Sequence, residues 1–354
     1  MRGAGADAAR PRGLAWGIRG EVETTGFGWD TTRDPCDDAV RAAVGQVRIA
    51  LRELRGAARG AAERGTRPDA DAAVHEARKA LRRARGIAEL LRPLAGADLA
   101  GDLVDAVRGA RRRLSAARDD AVLPVALRAA WRERGGPGDG GEGGPPGPEV
   151  SALRTLLAPE RADAPAGIDP ETVAAIAADL EGARHDLARL HAVARAGGDD
   201  LDPLARGLRR MHRRARMAAG AARAVLAPGT DAEADTALHD ARKRFKELGY
   251  VMRWWAPAWR RPIEAWLAEV DACVGLIGAD HDQVVLRARL RTLGDAVDGE
   301  LRARVLAGSE RRSARLRGKA ERALARLGAE TSGAFVGRHI GYMAAARAWR
   351  RQRG

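Results

Sequence analysis

The sequence predicts an all-α protein that is internally duplicated. The stretches Ala70–Lys79 and Ala234–Lys243 carry the same residue at seven of ten positions and lie 164 residues apart. A fixed offset of this kind is the signature of an internal repeat. Apolar residues recur at helical spacing in both halves, and no segment alternates long enough to predict a strand.

The first half begins after a leader. Residues 1–34 are rich in Gly, Arg and Thr without an apolar period, so we expect them to be largely disordered. The dipeptide Asp37–Asp38 can cap a first helix that continues to about Arg64. A second helix, about Ala70–Leu91, is expected to end before Pro93, because proline disrupts a helix interior.

The rest of the first half divides around a linker. We predict a third helical stretch from Leu99 to about Trp131. Residues 133–169 open with a long Gly- and Pro-rich run that predicts a flexible linker, with a short helix near Val150–Leu157. A proline in the first turn then starts a helix at Asp169 that reaches about Arg195.

The second half repeats this order. Helices are predicted over 202–226, 234–255, 263–277 and 296–327. We expect a break at Gly278–Asp282. The domain prediction is therefore a first helical unit over 38–196, a second over 202–330 and a basic C-terminal segment over 331–354.

Each repeated stretch predicts an amphipathic helix whose polar face is cationic and begins with a histidine. At about 100° per residue, the basic residues fall on one side and the apolar residues on the other. In the first copy this face holds His75, Arg78, Lys79, Arg82 and Arg83. In the second copy it holds His239, Arg242, Lys243 and Lys246. Candidate binding residues on flanking helices are Arg48, Arg52, Arg112, Arg209, Arg210 and Arg213.

A face of one charge sign is unusual for a helix that only needs to be soluble. Opposite charges at i,i+4 stabilise a helix and like charges destabilise it by a few tenths of a kcal/mol, roughly, per pair. A polyanion that neutralises the face would offset this repulsion. The alternative is a solvated Arg-rich surface from a GC-rich coding sequence, and the recurrence at matched positions counts against it.

Composition narrows the class of partner. The net charge is +14 and the pI is near 11.0, which favours nucleic acid, inorganic polyphosphate or an anionic membrane surface. Aromatic residues make up 4%, few for a protein that stacks bases along basic strips. Two cysteines are too few for a disulfide framework or a metal cluster. No membrane-spanning run or signal sequence is evident, so we expect a cytoplasmic protein with no membrane partner.

The repeated helices resemble the CHAD domain, the conserved-histidine α-helical domain. The motifs that carry the resemblance are His75-x-x-Arg78-x-x-x-Arg82-Arg83 and His239-x-x-Arg242-x-x-x-Lys246. The segments Leu114–Asp119 and Ile277–Asp282 are similar to the Leu-Gly-x-x-Arg/Asn-Asp turn of that family. The resemblance covers roughly residues 38–330, with His281 in place of the usual Arg or Asn and with a long linker.

The resemblance implies two four-helix bundles of long antiparallel helices with pseudo-twofold symmetry. It also implies non-catalytic binding of inorganic polyphosphate in a basic groove shared by the halves, with association with polyphosphate granules. Arginine suits phosphate through bidentate, charge-assisted bonds. His75 and His239 would donate to phosphate or orient neighbouring arginines, and binding should strengthen towards about pH 6 because a polyanion favours protonated histidine.

Several other functions are disfavoured, and two stay open. The cationic neighbours of the histidines would repel a metal ion, so we expect no metal and no cofactor. No Walker loop, catalytic nucleophile or framework of paired glutamates is recognisable, so we expect no enzyme. Nucleic-acid binding, at least weak and non-specific, and a scaffold that docks acidic proteins remain alternatives. The sequence leaves the oligomeric state open.

Overall fold

The computed structural model is helical throughout the part of the chain that it describes. The described residues are 27–64, 67–114, 123–133, 148–157, 170–196, 200–226 and 231–352. Across these ranges there are helices and turns but no strand, which confirms the all-α prediction. Among the same residues, no helix is long and apolar enough to cross a bilayer.

Ten α-helices are present in these ranges. They are α1 Pro35–Arg64, α2 Arg67–Arg113, α3 Leu123–Arg132, α4 Pro148–Leu156, α5 Pro170–Ala196, α6 Asp202–Leu226, α7 Asp231–Trp255, α8 Arg260–Thr292, α9 Gly299–Leu327 and α10 Ser332–Arg351. Short 3₁₀ turns cover Ala256–Ala258 and Gly294–Ala296. The repeated stretches lie in α2 and α7, as predicted. Helix α10 occupies most of the predicted basic C-terminal segment.

The two halves pack through one shared core. In the first half, α1, α2 and α5 contact one another. In the second half, α7 packs between α6 and α8, and α9 contacts both α8 and α6. Helix α2 joins the halves by packing on α6 and α7, whereas α3 packs on α8 and α9. One hydrophobic cluster therefore includes residues of both halves, such as Leu81 and Leu248. Two matching four-helix bundles are not confirmed by this packing and stay a prediction.

The described end of the predicted leader packs onto the second half. Residues 1–26 lie outside the described residues, but Trp29 is buried and its backbone N–H donates to the carbonyl of Trp254 at 2.8 Å. The indole N–H of Trp254 donates in turn to Asp38 Oδ2 at 3.2 Å. Asp34, rather than the predicted Asp37–Asp38, accepts from a first-turn N–H of α1. Asp38 is instead a buried acceptor, and burial raises its pKa.

The prediction that the second helix ends before Pro93 is wrong, because α2 continues through this proline. A proline leaves the carbonyl four residues earlier without its helical donor. That carbonyl belongs to Glu89, and the Arg210 guanidinium of α6 donates to it. Arg210 also donates to the carboxylate of Glu89 at 2.9 Å. A contact between helices thus replaces the missing helical hydrogen bond, which local sequence patterns cannot reveal.

Two further boundaries differ from prediction. The stretch predicted from Leu99 to Trp131 is divided between the end of α2 and the separate helix α3. The break predicted at Gly278–Asp282 is absent, because α8 is continuous there. The turn segment ending at Asp119 and most of the 133–169 linker lie outside the described residues, apart from α4 and its flanking turns.

Candidate functional site

The two repeated helices cross where Gly86 of α2 meets α7. A Cβ atom at Gly86 would lie 3.4 Å from the Glu247 carbonyl oxygen and 3.4 Å from Tyr250 Cβ. Tyr250 lies 164 residues after Gly86, so the helices meet at matching positions of the repeat. Arg82 and Lys246 precede this contact by one turn on their own helices. The crossing therefore sets the two cationic faces beside each other.

Cations from the two faces come close enough to influence each other. Burial lowers the pKa of Arg242, the positive charge of Arg82 lowers it further, and Asp282 opposes both effects. Lys243 is affected similarly: burial lowers its pKa, and the neighbouring guanidinium groups of Arg244 and Arg85 add to this. The site thus holds positive charges whose mutual repulsion an anion would relieve.

The side chain of Arg242 is held in place by α8. Its Nε donates to the Val274 carbonyl at 3.4 Å. A Cβ atom at residue 278 would lie 3.2 Å from Nη2 of Arg242, so Gly278 provides the space for the guanidinium group. This glycine serves side-chain packing and does not end the helix. Burial raises the pKa of the nearby Asp282 carboxyl, whereas His281 and Arg242 lower it.

His239 lies next to a second histidine. Its ring centroid is 5.7 Å from that of His281, whose Nδ1 is 3.1 Å from Asp235 Oδ1. The His239 side chain reaches solvent, yet its partial desolvation lowers its pKa, and His281 and Arg242 lower it further. Without a ligand His239 is therefore mainly neutral at pH 7, and a nearby anion would favour its protonated form.

The first copy presents the matching residues on α2. His75 is exposed, and the side chains of Arg78, Lys79 and Arg82 are half-buried. Lys79 Nζ lies 3.5 Å from a carboxylate oxygen of Glu76. This surface pair is weak, since exposed ion pairs contribute about 0–1 kcal/mol. The face can therefore exchange such contacts for a stronger anion.

Two predicted site residues make contacts within the protein instead. Arg83 is 6% exposed, and its guanidinium carbon lies 5.0 Å from the ring centroid of Phe27. Arg210 is bonded to Glu89 and supports the helix around Pro93. Both side chains stabilise contacts within the protein, and we assign neither to the candidate surface.

The other predicted residues are exposed on three helices. They are Arg48 and Arg52 of α1, Arg112 of α2, and Arg209 and Arg213 of α6. Arg52 pairs with Glu53 at 3.0 Å. Their solvent exposure is compatible with anion binding, and their membership of the same surface remains a prediction.

Several residues that position the site are absent from the sequence motifs. Gly86 and Gly278 allow the close contacts at the helix crossing and at Arg242, and Glu247 lies 2.8 Å from the Arg85 guanidinium. A glycine inside a strongly amphipathic helix is a signal of close packing, so Gly86 could have been singled out. Glu247 gave no such signal, because its partner is on another helix.

The fold and these paired faces define an all-α protein with a duplicated histidine and arginine surface. The model of the CHAD domain matches residues 59–291, about two thirds of the chain. The protein therefore belongs to the CHAD domain family, as the sequence motifs predicted. A search of curated proteins found no significant match. Among the described side chains, no group of three or more His, Cys, Asp or Glu could hold a metal ion.

Proposed function

We propose that this protein binds inorganic polyphosphate, without catalysis, in a basic groove between the cationic faces of α2 and α7. The observation that carries the proposal is the crossing at Gly86, which sets the repeated faces together with Arg82 near Arg242. Domains of this family are associated with polyphosphate or triphosphate binding. The bound chain would run across both repeats.

The charges of the two faces suit a thin, flexible polyanion. Polyphosphate carries about one negative charge per phosphate, and each arginine can bind phosphate oxygens in a bidentate manner. Burial is the main cause of the lowered pKa values of Arg242 and Lys243, and neighbouring cations lower both pKa values further. Arginine and lysine stay charged at neutral pH, so a polyanion would offset the repulsion between these cations and gain affinity from it.

The proposed role requires binding alone. We propose a cytoplasmic protein that associates with polyphosphate granules through the same faces and that needs no cofactor. Duplex DNA would bind weakly through the general basic charge of the surface, and this binding would be lost at moderate salt.

The test is a comparison of two charge-removal variants of the full chain. The site variant is Arg78→Gln/Arg82→Gln/Arg242→Gln/Lys246→Gln. The matched control removes four exposed cations of α3 and α9: Arg128→Gln/Arg132→Gln/Lys319→Gln/Arg322→Gln. Binding of long-chain polyphosphate is measured by titration between about 0.05 and 0.4 M salt.

The two variants should separate clearly. We expect the site variant to lose roughly 100-fold in affinity at about 0.15 M salt, with a salt slope smaller by about three to four. The control variant should weaken polyphosphate binding only a few-fold, because it lowers the overall positive potential of the protein. Equal losses in the two variants would show that general charge, and not this site, binds polyphosphate.

A further inference from the structure

A second surface with a different chemistry lies on α10 and the turn before α8. Trp259 and Trp349 are 53% and 50% exposed, an unusual feature in a chain with 4% aromatic residues. The ring centroids of Trp259 and Tyr342 are 4.6 Å apart. Trp349 follows Tyr342 by seven residues, so both lie on one face of α10, about 10 Å apart along the axis. We call Trp259, Tyr342 and Trp349 the aromatic platform.

The aromatic platform is held in place by the core beneath it. The ring of Tyr342 packs against that of His339 at 5.6 Å, and His339 packs against Phe335 at 4.2 Å. Both His339 and Phe335 are fully buried. The indole N–H of Trp255 donates to the His339 carbonyl at 3.2 Å. Tyr342, and Trp259 through its contact with Tyr342, should therefore need little further ordering when a ligand stacks on them.

The aromatic platform lies among arginines. The Arg350 guanidinium carbon is 5.7 Å from the centroid of the Trp349 ring. Further exposed arginines flank the rings in the chain: Arg260, Arg261 and Arg351. Two carboxylates lie near these cations: the charge of Arg350 lowers the pKa of Asp30, and Glu264 accepts a hydrogen bond from Arg260 at 2.8 Å. The surface combines exposed rings with an excess of positive charge.

We infer that the aromatic platform is a binding site for single-stranded nucleic acid. Proteins that bind single strands stack bases on aromatic rings and contact the phosphates with cations. A membrane surface fits the observations less well, because membrane binding of this kind scales with buried apolar area. Between Tyr342 and Trp349, the exposed residue of α10 nearest their face is Ala345, which offers little apolar area to a membrane.

This site is independent of the proposed polyphosphate function. Polyphosphate has no bases to stack, so the rings of the platform add nothing to its binding. The histidine and arginine faces of α2 and α7 have no comparable set of exposed tryptophans. Substitutions in the aromatic platform should therefore weaken single-strand binding, whereas substitutions in the faces of α2 and α7 should weaken polyphosphate binding. Either proposal can fail without the other.

The experiment uses the full chain and substitutions that leave the charge unchanged. The double variants Trp259→Leu/Trp349→Leu and Trp259→Phe/Trp349→Phe are compared with the unmodified protein. Leucine keeps apolar size but loses the aromatic face, whereas phenylalanine keeps it. Fluorescence anisotropy is measured with labelled 20-nucleotide single strands, one DNA and one RNA, with a DNA duplex, with long-chain polyphosphate, and with vesicles containing anionic lipid.

The leucine variant should bind both single strands at least tenfold more weakly, and the phenylalanine variant should lose less than threefold. The affinities for duplex DNA and for polyphosphate should change less than twofold in both variants, because neither of these ligands presents free base faces. The α2 and α7 charge-removal variant should retain single-strand binding that depends on the rings.

Three outcomes would overturn the inference. Unchanged single-strand affinity in the leucine variant would show that the rings do not contact bases. An equal loss of polyphosphate and oligonucleotide binding would show one general polyanion surface. Vesicle binding that both variants keep, together with no single-strand binding by the unmodified protein, would identify a membrane surface instead. Thermal unfolding of each variant checks that the fold is retained.

Discussion

The two repeated helices match on their cationic faces and differ on their buried sides. His75, Arg78 and Lys79 of α2 have identical counterparts in α7, and Arg82 corresponds to Lys246. Among the buried residues, Leu81, Leu90 and Leu91 of α2 correspond to Phe245, Trp254 and Trp255 of α7. The two helices thus contribute different residues to the shared core, while their charge pattern is the same. This contrast supports the proposal that the two cationic faces bind a common ligand.

A second difference makes the halves complementary where they meet. Arg83 of α2 corresponds to Glu247 of α7. Glu247 lies 2.8 Å from the buried guanidinium of Arg85, whereas Arg83 packs beneath Phe27. If position 247 held arginine, as position 83 does, two positive charges would meet where Glu247 now pairs with Arg85. The change of sign at one position therefore lets two cationic helices pack against each other.

The largest effect should come from breaking the junction between the halves. A Cβ atom at Gly207 of α6 would lie 1.9 Å from the Leu90 carbonyl oxygen of α2, so Gly207→Ala must push the helices apart. We expect a loss of at least about 3 kcal/mol in the free energy of unfolding, or failure to fold. A Cβ atom at Gly220, an exposed position of the same helix, would meet nothing within 4 Å, so Gly220→Ala should gain up to about 1 kcal/mol. Denaturant unfolding of the pair measures the contrast, and similar values would contradict it.

The next largest loss of stability should follow removal of the negative charge of Glu247, which pairs with Arg85. Glu247→Gln leaves the side chain of Arg85, which is 7% exposed, without its carboxylate. Removal of one partner of a buried pair leaves an uncompensated charge, so we expect a loss of about 2–4 kcal/mol. Glu53→Gln, which removes the partner of the exposed Arg52, should cost under about 0.5 kcal/mol. Equal stabilities for the two variants would mean that the Arg85 pair is solvated.

A third prediction compares the contributions of the halves to binding. Arg78→Gln/Arg82→Gln and Arg242→Gln/Lys246→Gln remove two cations each, from α2 and α7 respectively. If one polyphosphate chain spans both faces, each variant should lose roughly 10- to 30-fold in affinity and about two in salt slope. A loss confined to one variant would show that a single repeat forms the site.

The smallest effect is the pH dependence of binding. The pKa of His239 lies below its ordinary value of 6.5 in the free protein and should rise beside a polyanion. The complex then holds more protons than the free protein, so affinity should increase as pH falls from about 7.5 towards 6. We expect a few-fold gain, reduced in His239→Gln. An unchanged gain in this variant would assign the effect to other groups, of which His281 is the nearest.

Sequence patterns captured the elements whose cause is local or repeated. The apolar periods predicted α1, α5, α6 and α7 to within a few residues, and the repeat predicted which faces of α2 and α7 are cationic. Pro93 and Gly278 predict helix breaks, because proline and glycine both disrupt helices by local rules. In the structure, Arg210 satisfies the carbonyl that Pro93 leaves free, and Gly278 gives space to Arg242.

The composition of the site was harder to predict than the face itself. Arg83 and Arg210 share the chemistry of binding residues but have interior partners, Phe27 and Glu89, that are distant in sequence. Helical periodicity assigns a residue to a side of its own helix, yet it cannot tell which neighbour covers that side. The meeting of the two faces at Gly86 likewise depends on how α2 crosses α7.

The most direct test of the central claim is a competition titration at about 0.3 M salt, where non-specific DNA binding is weak. Labelled long-chain polyphosphate is titrated with the protein in the presence of duplex DNA, and the Arg78→Gln/Arg82→Gln/Arg242→Gln/Lys246→Gln variant is measured alongside. We predict that polyphosphate stays bound, that DNA does not displace it, and that the variant loses binding. If DNA competes equally and the variant binds like the unmodified protein, the faces of α2 and α7 are only a solvated basic surface.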